Sequence, residues 1–263
     1  MSQPTMPSPS PSAAPPVTLL PILLVLLAAH RPAFRQERPY QRCVALTLGH
    51  LCAFSRHTIT QLLVALGLGQ VDWSGFYRLF SVPRLNYDQL TTCFLRETLA
   101  HLPLETAYQV GLDGVQIPRS RQRLPGSSWL KAPRTPPWRP GIHRAQRFVH
   151  LAWLVPMAAA SGYSRAIPLR LEAAFPANAA QARRAPLQPP RREWEAGRDA
   201  LNWLRATLDA ASRTAQRIVV VADSVYGPAA LWTSLPHDTS LITRCAKNRA
   251  LFRLPVGTAD TSQ

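Results

Sequence analysis

The sequence predicts an α/β protein in which a mixed sheet with flanking helices follows a small all-helical domain. Up to about residue 103, apolar residues recur at the three- and four-residue spacing of amphipathic helices. Beyond that point, short apolar runs rich in β-branched residues alternate with turns and helical stretches, which is typical of strands in a sheet. Hydrophobic residues make up 46% of the 263 residues, enough for a substantial core.

The amino-terminal segment begins with a tail and an apolar run. Residues 1–16 are rich in Pro and Ser and are expected to be disordered. The apolar run 17–29 is shorter than the roughly 20 residues that span a bilayer. A signal peptide has a positively charged segment before its apolar run, but no Lys or Arg precedes this run. We therefore expect a buried helix here, without export or membrane insertion.

The helical domain is predicted to span residues 17–103. A helix over Thr58–Leu66, with Ser55 or Thr58 as its cap, is followed by a glycine-containing turn at 67–70 and a second helix over Trp73–Phe80. This is the outline of a helix-turn-helix. The outline fits DNA recognition and plain helical packing equally well.

The second half of the chain contains five predicted strands and two helices. A proline-rich loop, 119–140, separates the first two strands, and Pro168 in the third marks an edge or a bulge. An amphipathic helix follows, in which Trp194, Leu201, Leu204 and Leu208 form the apolar stripe. The predicted strands are 107–117, 147–155, 164–171, 217–222 and 240–244, and a short helix over 227–235 lies between the last two.

The order of these elements selects one topology. Three strands that can form a meander, followed by a crossover helix and a parallel strand, allow the first and fourth strands to lie side by side. This arrangement is the core of the ribonuclease-H-like fold. It would bring Asp113 and Asp223 within reach of one metal pair.

The charge of the chain indicates an anionic partner. Lys and Arg number 30 against 14 Asp and Glu, a net charge of +16, for which nucleic acid is the best match. A codon bias toward Arg in a GC-rich genome is an alternative explanation of this count. The distribution favours a phosphate track, because residues 114–171 contain many basic residues and no acidic one. Trp129 and Trp138 in this stretch suit base stacking or surface packing equally.

The cysteines indicate a reducing compartment. Cys43, Cys52, Cys93 and Cys245 show neither paired nor metal-ligand spacing. We expect thiols rather than a zinc site, in a cytoplasmic protein.

Two aspartates carry the candidate chemistry. Asp113 and Asp223 each stand at the carboxyl end of an apolar run, where a sheet edge holds a carboxylate rigidly and within reach of ligands. Two such carboxylates can share a divalent cation that assists phosphodiester cleavage. Each also has a structural alternative, Asp113 as a turn cap and Asp223 as a helix N-cap. A phosphoaspartyl hydrolase is disfavoured because Val115 occupies the position of its second Asp.

Four motifs resemble the DDE transposases of bacterial insertion sequences, over about residues 23–254. They are Gly-Leu-Asp113-Gly, the segment 143–149, Val-Val-Ala-Asp223-Ser-Val-Tyr-Gly227 and Leu-Ile-Thr-Arg244-Cys-Ala-Lys-Asn248. The resemblance implies that Asp113 and Asp223 are the first two acids of a two-metal site for Mg²⁺ or Mn²⁺. It also implies double-stranded DNA (transposon ends) as partner, a homodimer on DNA, and a nucleoid location. The basic residues expected to contact DNA are Arg119, Arg121, Arg123, Lys131, Arg134, Arg144, Arg147, Arg244 and Lys247.

One departure from the family pattern concerns the third acid, usually a Glu on a later helix. No Glu follows Lys247 in this sequence. We therefore expect a catalytic domain at 104–255 that is incomplete at its carboxyl end, a tail at 256–263, and a third acid that lies beyond residue 263. The predicted function is a transposase-type protein for metal-dependent DNA cleavage and transfer that is inactive here. The alternative is a non-catalytic DNA-binding protein.

Overall fold

The computed structural model describes residues 19–54, 56–120, 124–133, 135–136, 138–156, 164–179 and 189–245. The chain divides into two compact units, Met1–Glu97 and Thr98–Gln263. The division lies six residues before the predicted domain boundary at 103. Both predicted tails lie outside the described residues.

The first unit is helical. Its helices are α1 (Leu19–Ala29), α2 (Glu37–Cys52), α3 (Ile59–Ala65), α4 (Ser74–Ser81) and α5 (Tyr87–Leu99), which ends at the start of the second unit. The predicted burial of the first apolar run is wrong. The run is a helix from Leu19, with apolar side chains around its whole circumference, but none of its described residues is buried. None of the helices that the structure describes is both long and apolar enough to cross a membrane.

Helices α2, α3 and α4 enclose the core of this unit. Leu46, Leu62, Leu63, Phe76 and Leu79 are among its buried residues. The predicted cap at Thr58 is confirmed, because its hydroxyl accepts a hydrogen bond from the backbone N–H of Gln61 at 3.3 Å. Gly67, with φ of 72°, makes the turn that follows α3. The helix-turn-helix outline is therefore present, and its DNA recognition stays a prediction.

The second unit is built on a six-stranded mixed sheet. Strand β1 lies between β3, with which it is antiparallel, and β5, with which it is parallel. Strand β6 extends the parallel side, while β2 and β4 pair with different parts of β3. The strands are β1 (Tyr108–Pro118), β2 (Ser127–Lys131), β3 (Ile142–Pro156), β4 (Ser164–Ala173), β5 (Ile218–Ala222) and β6 (Thr239–Thr243).

The predicted topology is confirmed in its main feature, since the first strand and the strand after the crossover helix are parallel neighbours. The prediction of one continuous loop over 119–140 is wrong, because β2 forms within it. Ser127, Ser128 and Leu130 of β2 are buried, while Trp129 and Lys131 are exposed. The two exposed side chains therefore lie on the same face of the strand. The irregularity predicted at Pro168 is confirmed by a register shift opposite Leu151 and Ala152.

Helix α6 (Glu193–Ala210) is the crossover between β4 and β5. It buries Leu201, Leu204 and Leu208 of its predicted stripe, and it packs against β3 and β4. Because β1, β4 and β5 all run in the same direction, α6 begins at the sheet edge where β5 ends. A short helix, α7 (Ala229–Trp232), follows β5. The amino terminus of α6 therefore lies at the same edge as Asp223.

Candidate active site

The register of the three parallel strands sets the two predicted aspartates side by side. Leu112 of β1 pairs with Ala222 of β5, which in turn pairs with Thr243 of β6. The residues that follow these three in sequence are Asp113, Asp223 and Arg244. Neighbouring strands lie about 4.8 Å apart, and both carboxylates are exposed to solvent. The structure thus brings together both predicted acids and one predicted basic residue.

Asp113 lies in the middle of β1 rather than at its end, which corrects the sequence analysis. Strand β1 continues to Pro118 and keeps its pairing with β3, so Asp113 does not cap a turn. The β5 side of β1 is open beyond Leu112 because β5 ends at Ala222. On the other side of β1, Asp113 is paired in register with His150 of β3. Burial keeps the pKa of His150 below its usual range, against the opposing charge of Asp113.

Asp223 is fixed by two hydrogen bonds. Its Oδ1 accepts from the backbone N–H of Val225 at 2.9 Å, so it caps the short 3₁₀ turn Ser224–Tyr226. The hydroxyl of Thr243 donates to its backbone carbonyl. The predicted N-cap role is therefore present, and it uses only one of the two carboxylate oxygens.

A third carboxylate, which the sequence analysis missed, faces this pair from α6. Glu193 is the first residue of that helix, and its side chain is 15% exposed. Its Oε1 lies 2.7 Å from Nη1 of Arg147, while Oε2 lies against Gly114, where a Cβ atom would collide with it. Burial raises the pKa of Glu193; Arg147 opposes this shift, and the charges of Asp223 and Asp113 add to it.

Tyr226 interacts electrostatically with the same three carboxylates. It is fully buried, and its ring packs on α6, where a Cβ at Gly197 would stand 2.8 Å from Cε1. Its hydroxyl has no hydrogen-bond partner among the described residues. Burial, together with the charges of Glu193, Asp223 and Asp113, raises the pKa of this phenol. The hydroxyl therefore stays protonated and able to donate.

The predicted DNA-contacting residues that the structure describes fall into two groups. Arg244 and Lys131 are exposed, one beside the aspartates and one on the outer strand β2. Arg119, Arg144 and Arg147 are half-buried, and they contact Gln146, Ser127 and Glu193 respectively. Four further predicted residues lie outside the described part of the chain, namely Arg121, Arg123, Arg134 and Lys247.

A cleft of about 580 Å³ opens next to Glu193. Arg147, Arg192 and Arg191 contribute positive charge to its wall, and Trp194 contributes an aromatic face. Arg191 also forms ion pairs with Glu172 and Asp199. Glu193 and Glu195 also line the cleft, so its wall carries charges of both signs.

A mixed sheet with aspartates on adjacent parallel strands, the first at Asp113 and the second after the crossover at Asp223, defines a ribonuclease-H-like protein. The family model for the DDE superfamily endonucleases matches residues 29–261. The chain belongs to this family. A search among curated proteins gives no match.

DDE superfamily nucleases generally use divalent metals, and the residues at this edge suit such an ion. Asp113 and Asp223 offer only oxygen donors, which Mg²⁺ and Mn²⁺ prefer. Among the described residues, no three His, Cys, Asp or Glu side chains are grouped as they would be around a bound metal. Asp113 and Asp223 would hold the ion.

Proposed function

We propose that this protein binds double-stranded DNA and cleaves its strands in a reaction that depends on a divalent cation. The observation that carries the proposal is the shared register of Asp113 and Asp223 at one open edge of the sheet. Membership in the DDE superfamily endonucleases supports transposase-type DNA cleavage as the chemistry. Transfer of the cleaved strand into a second DNA is the finer part of the proposal.

The chain's own residues divide the work between holding the cation and holding the DNA. Asp113 and Asp223 would hold the divalent cation, which when bound would supply charge neutralisation at the phosphate and activation of the attacking water. Arg244, at the level of Asp223 on the next strand, contacts a phosphate flanking the cleaved bond. Lys131 and Trp129 share the exposed face of β2 and would contact the duplex further away.

A second candidate function is DNA binding without chemistry. The net charge of +16 supports this alternative independently of the aspartates. The sequence analysis predicted an inactive protein. That inactivity is retained as the competing outcome of the assay below.

A nicking assay on supercoiled plasmid DNA tests the proposal without knowledge of a target sequence. We expect the full chain to open the plasmid in Mg²⁺ or Mn²⁺ and not in EDTA. Asp113→Asn and Asp223→Asn should each remove the activity. Asp238→Asn is the matched control, because it makes the same charge change at the opposite end of the sheet, where Asp238 O accepts from Ile218 N.

The alternative makes a different prediction in the same experiment. DNA binding that persists in EDTA, with no nicking in either metal, would leave only the non-catalytic function. Nicking that survives in Asp113→Asn would reject the proposed site.

A further inference from the structure

We propose that α1 is a dimerisation helix, which packs into an apolar groove on the first unit of a second copy of this chain. The inference goes beyond the proposed function, because the residues assigned there to the cation and to DNA all lie in the second unit. The resemblance to transposases implies a homodimer on DNA without indicating the surfaces that form it. Helix α1 and the groove supply two such surfaces.

Helix α1 presents an apolar surface to solvent on all sides. Its 11 residues, Leu19–Ala29, carry no charged or polar side chain, and none of them is buried. Leu19 is 79% exposed and Val25 is 70% exposed. Four further large side chains of the helix are exposed as well, namely Leu20, Ile22, Leu24 and Leu26. A helix that is apolar around its circumference is normally enclosed, and an exposed apolar patch of this kind marks an interaction surface.

A protein surface matches α1 better than a lipid bilayer does. The 11 residues of the helix are well short of the roughly 20 that span a bilayer. A helix that lies in the membrane interface has a strongly polar face, commonly rich in Lys and Arg, which turns toward water. Helix α1 has no polar face. Its shape and composition therefore suit a groove that encloses it from more than one side.

Such a groove lies in the same unit, between α2, α3 and α4, and has a volume of about 450 Å³. Leu46, Leu62 and Leu79 line it and also belong to the core of the unit. Phe80, which is 70% exposed, adds an aromatic ring to the lining. No Asp, Glu, Lys or Arg is among the described residues that line the groove. In a chain of net charge +16, this uncharged groove matches an uncharged apolar segment such as α1.

Helix α1 does not occupy the groove of its own copy. None of its residues is among the described residues that line the groove. The chain just after α1 is held in place, because the backbone N–H of Asn86 donates to the carbonyl of Ala33 at 2.8 Å and Phe34 forms a β-bridge with Leu85. Each copy therefore offers one exposed apolar helix and one open apolar groove. Reciprocal insertion about a two-fold axis would bury both helices and both grooves.

The charge of the chain gives this association a distinctive salt dependence. Two copies that each carry a net charge of +16 repel one another, and salt screens that repulsion. Helix α1 and the described lining of the groove contain no Asp, Glu, Lys or Arg, so salt breaks no ion pair between them. The dimer should therefore become tighter as salt rises, whereas binding to DNA becomes weaker.

Sedimentation equilibrium of the full chain without DNA, over a range of protein and salt concentrations, tests the inference. We expect dimers whose dissociation constant falls as salt rises. Val25→Glu should raise the dissociation constant at least about 10-fold, because it would bury an unpaired carboxylate in the groove. Phe80→Glu should do the same from the side of the groove. Both side chains are 70% exposed in the single chain, so neither substitution disturbs its core, and circular dichroism checks that each variant is folded.

Val64→Glu is the matched control. Val64 lies on α3 in the same unit, is 52% exposed, and is not among the residues that line the groove. The variant makes the same chemical change and should dimerise as the unaltered chain does. A second measurement locates the contact directly. When Val25→Cys chains are mixed with Phe80→Cys chains and oxidised, mass spectrometry should find a disulfide between positions 25 and 80 of different copies.

Three results would overturn the inference. The first is an unaltered chain that stays monomeric at every concentration, or a dimer that persists in Val25→Glu. The second is a dimer lost in Val25→Glu but kept in Phe80→Glu, since α1 would then contact a surface other than the groove. The third is flotation of the unaltered chain with vesicles of phosphatidylcholine and phosphatidylglycerol that Val25→Glu abolishes, which would assign α1 to lipid. Each readout is independent of DNA nicking, so the inference and the proposed function fail separately.

Discussion

The carboxylate of Glu193 occupies the space that a side chain at Gly114 would need. One of its oxygens would collide with a Cβ atom there, and its carboxyl carbon lies 3.3 Å from that position. The contact joins the start of α6 to the middle of β1, next to Asp113. The two residues are far apart in the sequence, and the topology of the sheet brings them together.

Gly114→Ala is therefore expected to destabilise the protein. The added methyl group must push aside a carboxylate that Arg147 also holds, and overpacking of this kind costs about 1–3 kcal/mol. Chemical unfolding measures the change. Gly111→Ala in the same strand is the control, because its Cβ would meet Leu154 at an ordinary 3.5 Å. Equal effects of the two substitutions would mean that the Glu193 contact is not responsible.

Arg205 is expected to be the main polar anchor of α6. It is 3% exposed and donates to the carbonyl oxygens of Gln216 at 2.8 Å and Arg213 at 2.7 Å, and it pairs with Asp209. Arg205→Met should lower the free energy of unfolding by about 3–5 kcal/mol, since it leaves the two carbonyl acceptors without this donor and leaves Asp209 with His237 alone.

Arg198→Met is the comparison for Arg205. Arg198 forms a more exposed ion pair with Asp199, so its loss should cost no more than about 1 kcal/mol. Urea unfolding of both variants gives the two values. A loss at Arg205 as small as that at Arg198 would contradict the anchoring role.

Lys131 and Arg244 are expected to contact DNA phosphates. Each is exposed, and removal of one phosphate contact should reduce the slope of log affinity against log salt by about 0.9. Fluorescence anisotropy with a labelled duplex, measured in EDTA over a range of salt, determines the slope. Arg217→Ala removes the same charge at the opposite end of the sheet and should leave the slope unchanged. An unchanged slope in Lys131→Ala and Arg244→Ala would exclude both as contacts.

His237 should titrate above the usual histidine value. Its hydrogen bonds to Asp238 and Asp209, both at 3.2 Å, raise its pKa. The stabilisation from the protonated ring is complete below the unfolded pKa of about 6.5 and is lost as pH rises through the higher folded pKa. A nuclear magnetic resonance titration of the ring protons measures this value, and Asp238→Asn should lower it. A titration at the ordinary value would contradict the two contacts.

The sequence was sufficient for the parts of the fold that depend on local pattern and strand order. Apolar runs located β1, β5 and α6, and the meander-plus-crossover order placed Asp113 beside Asp223. Strand β2 was not predicted because it is short and lies in a proline-rich segment. The exposure of α1 was not predicted, because an apolar run indicates burial but does not identify the surface against which the helix would pack.

The position of Glu193 near the two aspartates was missed for a different reason. At the start of a helix, an acid is expected from dipole effects alone, so its type and position gave no signal. The signal available was topological, because parallel β4 and β5 require the connecting helix to begin at the edge where β5 ends. Its contact with Gly114 depends on side-chain packing across 79 residues of sequence, which pattern does not reveal.

Iron-directed cleavage of the protein tests the central claim, that Asp113 and Asp223 hold one divalent cation. Fe²⁺ replaces Mg²⁺, and ascorbate with hydrogen peroxide then generates hydroxyl radicals that cut the polypeptide next to the bound metal. Mass spectrometry should locate the cuts around residues 113 and 223, with excess Mg²⁺ or Asp113→Asn suppressing both. Cuts at other positions, or cuts at these positions that persist in Asp113→Asn, would contradict the account.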